Sequence, residues 1–246
     1  MNCITLRRAV LLLPLLAAGI TIVPSVGRSG PNLAPSANAN ANPRVLPPDS
    51  NPYGKSYSEW AASFWQWAFS LPLDGHPFLD DPDFNFAANQ SGPVWYWSSP
   101  DGTFTRAATL PAGKALFLTI RDVDSSSLED PPFFGATEDE QREISHFFAE
   151  HIVDVFCTID GVPVENLEDY RFSTDQFEFT APTPWIFGNV GGDGTAVGEG
   201  YFLMLAPMPV GHHTIHYGGT FHFEAGELDV VPVDFPKDVT IELDVR

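Results

Sequence analysis

The hydrophobic and polar positions from Ser56 to Leu71 predict an amphipathic helix over residues 57–70. Its aromatic and aliphatic side chains recur every three or four positions, so they form one apolar stripe along the helix. Ser56 and Glu59 have the spacing of a capping box, in which each side chain satisfies a free backbone N–H at the helix start. Pro72 disfavours helical geometry in the residue before it. We expect the stripe to pack against a sheet.

Trp65 and Phe69 lie just outside this stripe, four residues apart, and form a second aromatic ledge. Aromatic residues at helical spacing usually belong to the core, so one interpretation is that the ledge fills a gap beside the sheet. The other is that the ledge forms one wall of a groove for a sugar or another flat ligand. Trp95 and Trp97, on one face of the predicted strand GPVWYWSS, complete this set of candidate ligand-binding residues.

A second capping box, Thr137 and Glu140, begins a predicted helix over residues 138–156. Acidic residues in its first turn match the positive end of the helix dipole. Five apolar positions supply its expected buried stripe: Ile144, Phe147, Phe148, Ile152 and Val155.

Short apolar runs separated by glycine and proline predict β-strands in most of the remaining chain. The run at residues 115–123 is typical of a central strand covered on both faces. Asp101-Gly102 indicates a hairpin turn into a partner strand at 103–110, and the glycine-rich segment 188–200 predicts a loop with tight turns. These elements predict a mainly β protein, an antiparallel immunoglobulin-like β-sandwich with two packed amphipathic helices.

The first 27 residues have the pattern of a secretory signal peptide. Arg7 and Arg8 precede an apolar run at residues 9–23, which is short and contains a proline, so it is a poor membrane span. Residues 28–52 are rich in proline, asparagine, alanine and serine and predict a disordered linker. We therefore expect an exported protein, periplasmic or extracellular, with one folded domain over residues 53–246. Membrane contact is expected only through an uncleaved signal segment.

Charge and cysteine content narrow the function classes. The 246-residue chain has a formal net charge of −20, which repels phosphate backbones and argues against nucleic acid as a partner. The same charge fits solubility in salty surroundings or attraction to cations. Cys157 is the only cysteine left once the signal is removed, so no disulfide forms within the domain. Its apolar neighbours predict a buried, inert thiol.

Aspartates in two segments are candidates for a calcium site. Asp80, Asp81 and Asp83 lie in a loop rich in aspartate, proline and glycine. The second segment, at the end of the predicted central strand, contains Asp122, Asp124, Ser126 and Glu129. Carboxylate oxygens suit Ca²⁺, but the glycine and glutamate positions of an EF-hand loop are missing from the sequence. Calcium is therefore the weaker cofactor candidate, and solvated loop charge is the alternative.

Four of the seven histidines are gathered near the C-terminus of the chain. Strand alternation places His212 and His216 on one face, and a turn at Gly218-Gly219 would bring His222 across from His216. Neutral imidazole suits both Zn²⁺ and Cu²⁺. These three histidines are therefore the candidate metal ligands.

His213 has a different expected role. It stands in the pattern G-x-H-x-I directly after a turn that contains proline and glycine, which resembles the G-x-Y-x-C corner of immunoglobulin-like sandwiches. There the aromatic residue ties its strand back to the preceding loop through a hydrogen bond. We expect His213 to make such a structural contact rather than to bind a metal.

The segments YGKSYSEWAASFWQW, GPVWYW, PAGKALF and PVGHHTIHYGG are similar to those of a group of uncharacterised exported bacterial proteins. The resemblance covers most of the predicted domain and implies a single secreted module. It implies no activity and no catalytic residue. The sequence also contains no nucleophile elbow, zinc-protease motif or dinucleotide fingerprint.

Three function hypotheses follow from these patterns. The first, a non-catalytic exported module, binds a carbohydrate or another surface through Trp65, Phe69, Trp95 and Trp97. The second is a metal-binding protein or metalloenzyme with Zn²⁺ or Cu²⁺ at the three histidines. The third is a glycoside hydrolase with paired carboxylates, which sequence spacing does not identify among 32 acidic residues.

Overall fold

The structure, a computed structural model, describes residues 42–81 and 84–246. The predicted signal peptide and Asp83 of the candidate calcium loop lie outside the described residues. Within the two described ranges, no helix is long and apolar enough to cross a membrane. Export stays a prediction from the leader sequence.

Two β-sheets form the body of the protein, so the prediction of a mainly β, two-layered protein is confirmed. The first sheet contains β1 (Val94–Trp97), β3 (Ala115–Ser126), β6 (Arg171–Ser173), β7 (Phe177–Ala181) and β8 (Gly192–Leu205). The second sheet contains β2 (Gly102–Leu110), β4 (Ile152–Ile159), β5 (Val162–Pro163), β9 (Gly211–Phe223) and β10 (Val233–Val245). The strand orders are β1-β3-β8-β6, with β7 also paired to β8, and β2-β10-β9-β4-β5.

Both sheets are mixed rather than antiparallel. β1 pairs with β3 in parallel and β2 pairs with β10 in parallel, whereas the other strand pairs are antiparallel. The predicted hairpin at Asp101-Gly102 is wrong, because β1 and β2 belong to different sheets and the chain crosses between the layers there. The immunoglobulin-like strand order is not confirmed.

Helix α1 (Tyr57–Ser70) packs on β6, β7 and β8, while the contacts between the two sheets run from β3 to β4 and β9. The predicted capping box is present, since the Glu59 carboxylate accepts the Ser56 N–H at 2.7 Å and Ser56 Oγ accepts the Glu59 N–H. The aromatic side chains of the predicted stripe are buried and meet the sheet through pairs such as Phe64–Phe202, whose ring centroids are 6.5 Å apart. Burial of each large aromatic side chain contributes about 2–3 kcal/mol.

Helix α2 (Glu138–Glu150) has the predicted capping box but ends at Glu150 rather than at residue 156. His151 caps its C-terminus, and the chain continues at once into β4. The β-branched residues at the start of β4 explain the early end, because they fit a pleated strand better than a helix.

The predicted glycine-rich loop is largely part of strand β8, and its glycines admit close packing. A Cβ at Gly198 would lie 2.3 Å from Trp65 Nε1, and one at Gly200 would lie 2.6 Å from the Asp122 side chain. Glycine inside a strand often marks such a close approach. The Trp65 indole therefore rests directly on the backbone of β8.

Residues 42–52, predicted from the sequence as part of a linker, contact the folded body. Val45 forms a β-bridge with Leu205 and is 9% exposed. The Tyr57 hydroxyl donates to Leu46 O at 2.7 Å, which ties this segment to α1. The folded part therefore begins before the predicted boundary.

Candidate functional site

Three of the four predicted ligand-binding aromatic residues are buried. Trp65, Phe69 and Trp97 are 1%, 0% and 0% exposed, respectively. Trp95 is only partly buried and packs against Phe86, with ring centroids 5.3 Å apart. Large apolar rings gain free energy when they leave water, which is why these side chains belong to the core. The four aromatic residues therefore do not form one exposed surface.

Trp65 and Phe69 form the predicted pair, with ring centroids 5.2 Å apart, but the pair faces inward. Phe69 also contacts Phe179 and Trp185, at centroid distances of 4.6 Å and 5.5 Å. This packing matches the interpretation in which the ledge fills a gap beside the sheet. It does not leave the ledge as a groove wall.

The three predicted metal ligands lie on one face of a single strand. His212, His216 and His222 all belong to β9. The separations of four and six residues correspond to about 13 Å and about 20 Å along an extended strand, too far for a shared ion. The predicted turn at Gly218-Gly219 is wrong, because the pairing of β9 with β10 runs through both glycines. Among the described residues, no group of three or more histidine, cysteine, aspartate or glutamate side chains is arranged to hold a metal.

Each of these histidines pairs instead with a carboxylate on β10. The pairs, with N–O distances of 2.8, 2.8 and 2.6 Å, are His212–Glu242, His216–Asp238 and His222–Asp234. The hydrogen bond to Asp234 raises the pKa of the His222 imidazole. Exposed pairs of this kind contribute little to stability, so the row is a solvated polar surface.

His213 makes the predicted structural corner. Its Nε2 donates to Pro209 O at 2.9 Å, which ties β9 to the preceding loop. Its Nδ1 donates to Asp160 Oδ2 at 2.8 Å. Both partners are acceptors, so the ring holds a proton on each nitrogen. Burial opposes this charge, but the two hydrogen bonds outweigh burial and raise the pKa of His213.

Among residues 42–81 and 84–246, the candidate calcium ligands form no group of three or more that could hold a metal ion. Asp81 Oδ2 accepts the Gly75 N–H at 3.2 Å within its own loop. Asp122 and Asp124 lie inside strand β3 rather than in a loop, and Asp124 is 0% exposed. The calcium prediction therefore gains no support from the arrangement of these carboxylates.

Cys157 is the buried thiol that the sequence predicts. It is 2% exposed, and burial raises its pKa to about 12. The thiol stays protonated at neutral pH, so Cys157 is not an activated nucleophile.

An open groove of about 710 Å³ lies beside the C-terminal half of α1, where β7 and β8 pair. This volume is within the range of small-molecule sites. The side chains that line the groove are Gln66, Ser70, Ser127, Glu178, Phe179, Thr180, Asp193 and Thr195.

Hydrogen bonds hold several of the groove's polar side chains in place. Gln66 Nε2 donates to Glu178 O at 2.8 Å, which ties α1 to β7. Thr180 Oγ1 donates to Asp193 Oδ1 at 2.6 Å across the β7–β8 pair. The lining is therefore largely preformed.

Sequence reasoning missed this groove because its residues come from separate segments that only the sheet pairing brings together. One signal was present, namely the alternation of FEFTA, which places Glu178 and Thr180 on the exposed side of β7. Gly194 leaves room for Phe179, the one apolar side chain among the described residues of the lining, because a Cβ at position 194 would lie 2.9 Å from Phe179 Cζ.

The lining combines an amide, four hydroxyls and two carboxylates, and the described residues contribute no cationic side chain to it. Amide, hydroxyl and carboxylate groups hydrogen-bond the hydroxyls of a neutral ligand, whereas the carboxylates repel phosphates and other anions. The described part of the lining also contains no histidine, cysteine or lysine. The arrangement can therefore hydrogen-bond a neutral ligand that carries hydroxyl groups.

Comparisons of the chain with protein-family models, curated proteins and solved structures found no match.

Proposed function

We propose that this chain is an exported, non-catalytic binding module that holds a neutral, polyhydroxylated ligand such as a carbohydrate in the groove beside α1. The observation that carries the proposal is the lining of amide, hydroxyl and carboxylate groups without a cationic side chain. The binding surface thus differs from the four aromatic residues expected from the sequence, of which three are buried.

The net charge of the chain supports a neutral ligand. A formal charge of −20 disfavours approach by anionic polymers, and two carboxylates in the groove add to that repulsion. A neutral sugar meets no such barrier. Its hydroxyls donate to the carboxylates and accept from the amide of Gln66 and from the hydroxyls of Ser127 and Thr195, which accept hydrogen bonds within the protein. The hydroxyls of Ser70 and Thr180 already donate to Trp67 O and to Asp193 Oδ1.

The described part of the lining contains no histidine, cysteine or lysine that would serve as a nucleophile or as its base, which favours binding over catalysis. Glycosidases use a pair of carboxylates, and the groove contains such a pair in Glu178 and Asp193. Glycoside hydrolysis is therefore the catalytic activity that the experiment below must also measure. The metal-dependent alternative has no comparable support, since its three histidines are spread along β9.

The test is binding of the mature chain to an array of neutral and acidic glycans, followed by calorimetric titration with those that bind. We expect neutral polymers to bind and acidic polymers to fail. Glu178→Gln keeps the shape of the side chain and removes a charged acceptor, so it should weaken binding about tenfold. Glu143→Gln, the same change on the exposed face of α2, is the matched control and should leave the affinity unchanged.

Two results would contradict the proposal. One is a lack of response to every carbohydrate on the array. The other is an equal effect of Glu178→Gln and Glu143→Gln on the affinity. Release of reducing ends from a bound glycan would show that the protein is a glycoside hydrolase rather than a non-catalytic binding module. Cell fractionation and N-terminal sequencing of the mature chain test export separately.

A further inference from the structure

Strand β2 lies at one edge of the second sheet and pairs with a neighbour on one side only. It pairs with β10 in a continuous register, from Gly102 opposite Lys237 to Leu110 opposite Val245. A parallel pairing uses the N–H and C=O groups of every second residue, so the residues between them point both groups away from β10. Residues 103–109 make no other backbone hydrogen bond within the described part of the chain. This free edge is a row of backbone donors and acceptors on which another strand can pair.

The other edge strands of the two sheets are covered or short. At β1, Gln90 Nε2 donates to Tyr96 O at 2.7 Å and Gln90 Oε1 accepts the Tyr96 N–H at 3.0 Å, as a neighbouring strand would. At β7, the side chain of Gln66 on α1 donates to Glu178 O. β5 and β6 have only two and three residues. Among the described edge strands, β2 is therefore the long one whose edge is open.

The side chains of β2 do not prevent pairing either. Edge strands of monomers commonly carry exposed charges, prolines or bulges, whereas β2 has no proline and no bulge. On its outer face Thr103, Thr105 and Ala107 are exposed and uncharged. Its one charged residue, Arg106, is 8% exposed and donates to Pro77 O at 2.9 Å. Pairing at the edge therefore does not remove this guanidinium group from water, because it is already buried and hydrogen-bonded.

The segment nearest to the free edge leaves room beside it. An open groove of about 340 Å³ lies between residues 84–87 and the C-terminal half of β2, where Ala107, Ala108 and Thr109 line it. The described residues that line this groove and those that line the groove beside α1 do not overlap. The free edge is thus a second surface of the protein.

A second copy of β2 fits this edge in register. Antiparallel pairing about a two-fold axis at Arg106 places Thr103 opposite Thr109 of the second copy and Thr105 opposite Ala107 of the second copy. Such an interface uses the same patch on both copies, so both free edges are paired at once. Threonine opposite threonine is a favourable cross-strand pair, and no two like charges lie opposite each other on the outer face.

Charges at the two ends of this pairing are complementary. Arg246 Nη2 donates to Thr109 Oγ1 at 3.2 Å, so a cation lies at one end of the free edge. Asp238 pairs with Thr103 in the register of β10 with β2, and in the second copy it therefore lies at that same end. Two strand spacings, about 10 Å, separate Thr109 from this aspartate, and the long Arg246 side chain shortens the gap. Each copy thus brings one cation towards an acid of the other.

The formal net charge of −20 opposes association mainly at low ionic strength. In the paired arrangement, the acidic β10 strands of the two copies are three strand spacings apart, about 14 Å. The screening length is about 8 Å at 0.15 M salt and about 30 Å at 0.01 M. Repulsion between these strands is therefore weak at physiological salt.

We propose that two copies of this chain associate through the free edge of β2, antiparallel and about a two-fold axis at Arg106. The two five-stranded second sheets then form one continuous sheet across the dimer. The proposal does not depend on the carbohydrate-binding function, because the two surfaces are separate.

Sedimentation equilibrium of the mature chain at physiological salt tests the association and should show a monomer–dimer equilibrium. Thr105→Lys places an exposed charge on the free edge of each copy, so it should raise the dissociation constant at least about tenfold without lowering Tm. Thr158→Lys is the matched control, because Thr158 lies on the same face of the sheet in β4, three strands from the edge, and it should leave the constant unchanged. A monomer at every concentration, or equal effects of the two variants, would overturn the proposal.

Disulfide cross-linking tests the register. Thr105→Cys in one copy lies opposite Ala107→Cys in the other, with Cα atoms about 4.5–5.5 Å apart, which suits a disulfide. A mixture of these two single variants should give a cross-linked heterodimer on mild oxidation. Thr103→Cys alone is the control, because its two copies are six positions apart along the pairing, about 20 Å. Failure of the mixture to cross-link, or equal cross-linking of the control, would overturn the proposed pairing.

Discussion

The indole Nε1 of Trp97 donates a 2.9 Å hydrogen bond to the hydroxyl of Tyr217, and this contact joins the first sheet to the second inside the protein. Ser99 Oγ lies 2.9 Å from the same hydroxyl oxygen. Trp97 and Tyr217 are both 0% exposed, and burial raises the pKa of the tyrosine hydroxyl, which therefore stays neutral. The crossing between the sheets is thus held by hydrogen bonds as well as by apolar packing.

Tyr217→Phe should destabilise the protein, because it leaves the buried N–H of Trp97 without its acceptor. Loss of such a partner costs about 1–3 kcal/mol. Urea denaturation measures the change in the free energy of unfolding. Tyr53→Phe makes the same change at a residue that is 45% exposed and should cost less than about 0.5 kcal/mol. Equal losses in the two variants would show that the contact between the sheets contributes nothing.

Asp122→Asn should stabilise the protein, and the gain should grow with pH. Burial raises the folded-state pKa of Asp122 to about 7, well above the ordinary value of 3.8, so the folded state holds a proton that the unfolded chain has released. Stability therefore falls as pH rises between these values and levels off above the folded pKa. Asparagine does not ionise and avoids this loss. We expect the gain to increase by about 3 kcal/mol between pH 5 and pH 8.

Urea denaturation of both proteins at the two pH values checks the Asp122 prediction. Asp175→Asn is the matched control, because Asp175 is exposed and the same change should have little effect at either pH. A gain from Asp122→Asn that is the same at pH 5 and pH 8 would mean that the carboxylate is ionised in the folded protein throughout.

Features that depend on neighbours in the chain were predictable from the sequence. The Ser56–Glu59 capping box is one, since its hydrogen bonds span three residues. The corner at His213 is another, since Pro209 O lies four positions away. Strand alternation likewise placed His212 and His216 on one face, as the structure has them.

Features that depend on distant partners were not predictable. Gln66 and Glu178 meet in the groove although 112 positions separate them. The turn expected at Gly218 rested on glycine's common role in turns, but here glycine serves close packing, since a Cβ at Gly218 would lie 1.9 Å from Lys237 O. Local chemistry therefore predicted the starts of both helices and most of the strands, while the neighbours of each strand decided which side chains form a site.

His213→Gln should destabilise the protein at acidic pH more than at alkaline pH. The folded protein raises the pKa of His213, so the imidazolium contributes stability below its unfolded value, about 6.5. That contribution disappears as pH rises through the folded pKa. We expect a loss of about 1 kcal/mol at pH 5.5 and a smaller loss at pH 9. His216→Gln, which changes an exposed ring on the same strand, is the control and should cost little stability at either pH. If the loss caused by His213→Gln does not depend on pH, His213 is not charged in the folded protein.

Gly198→Ala should cost more stability than Gly219→Ala, although both glycines lie inside strands and neither has a positive φ angle. A Cβ at Gly198 would lie 2.3 Å from Trp65 Nε1 and 2.6 Å from Trp65 Cδ1, so the rigid indole and the helix that carries it must move away from β8. Overpacking of this kind costs about 1–3 kcal/mol. At Gly219 the nearest atom is the Val155 Cγ1 methyl group at 3.1 Å, which yields more easily, so Gly219→Ala should cost less. Urea denaturation compares the free energies of unfolding of the two variants. The tryptophan fluorescence of Gly198→Ala should also shift to the red, because Trp65 becomes exposed to water. Equal losses of stability with unchanged fluorescence would mean that the position of α1 on the sheet does not depend on the contact between Trp65 and Gly198.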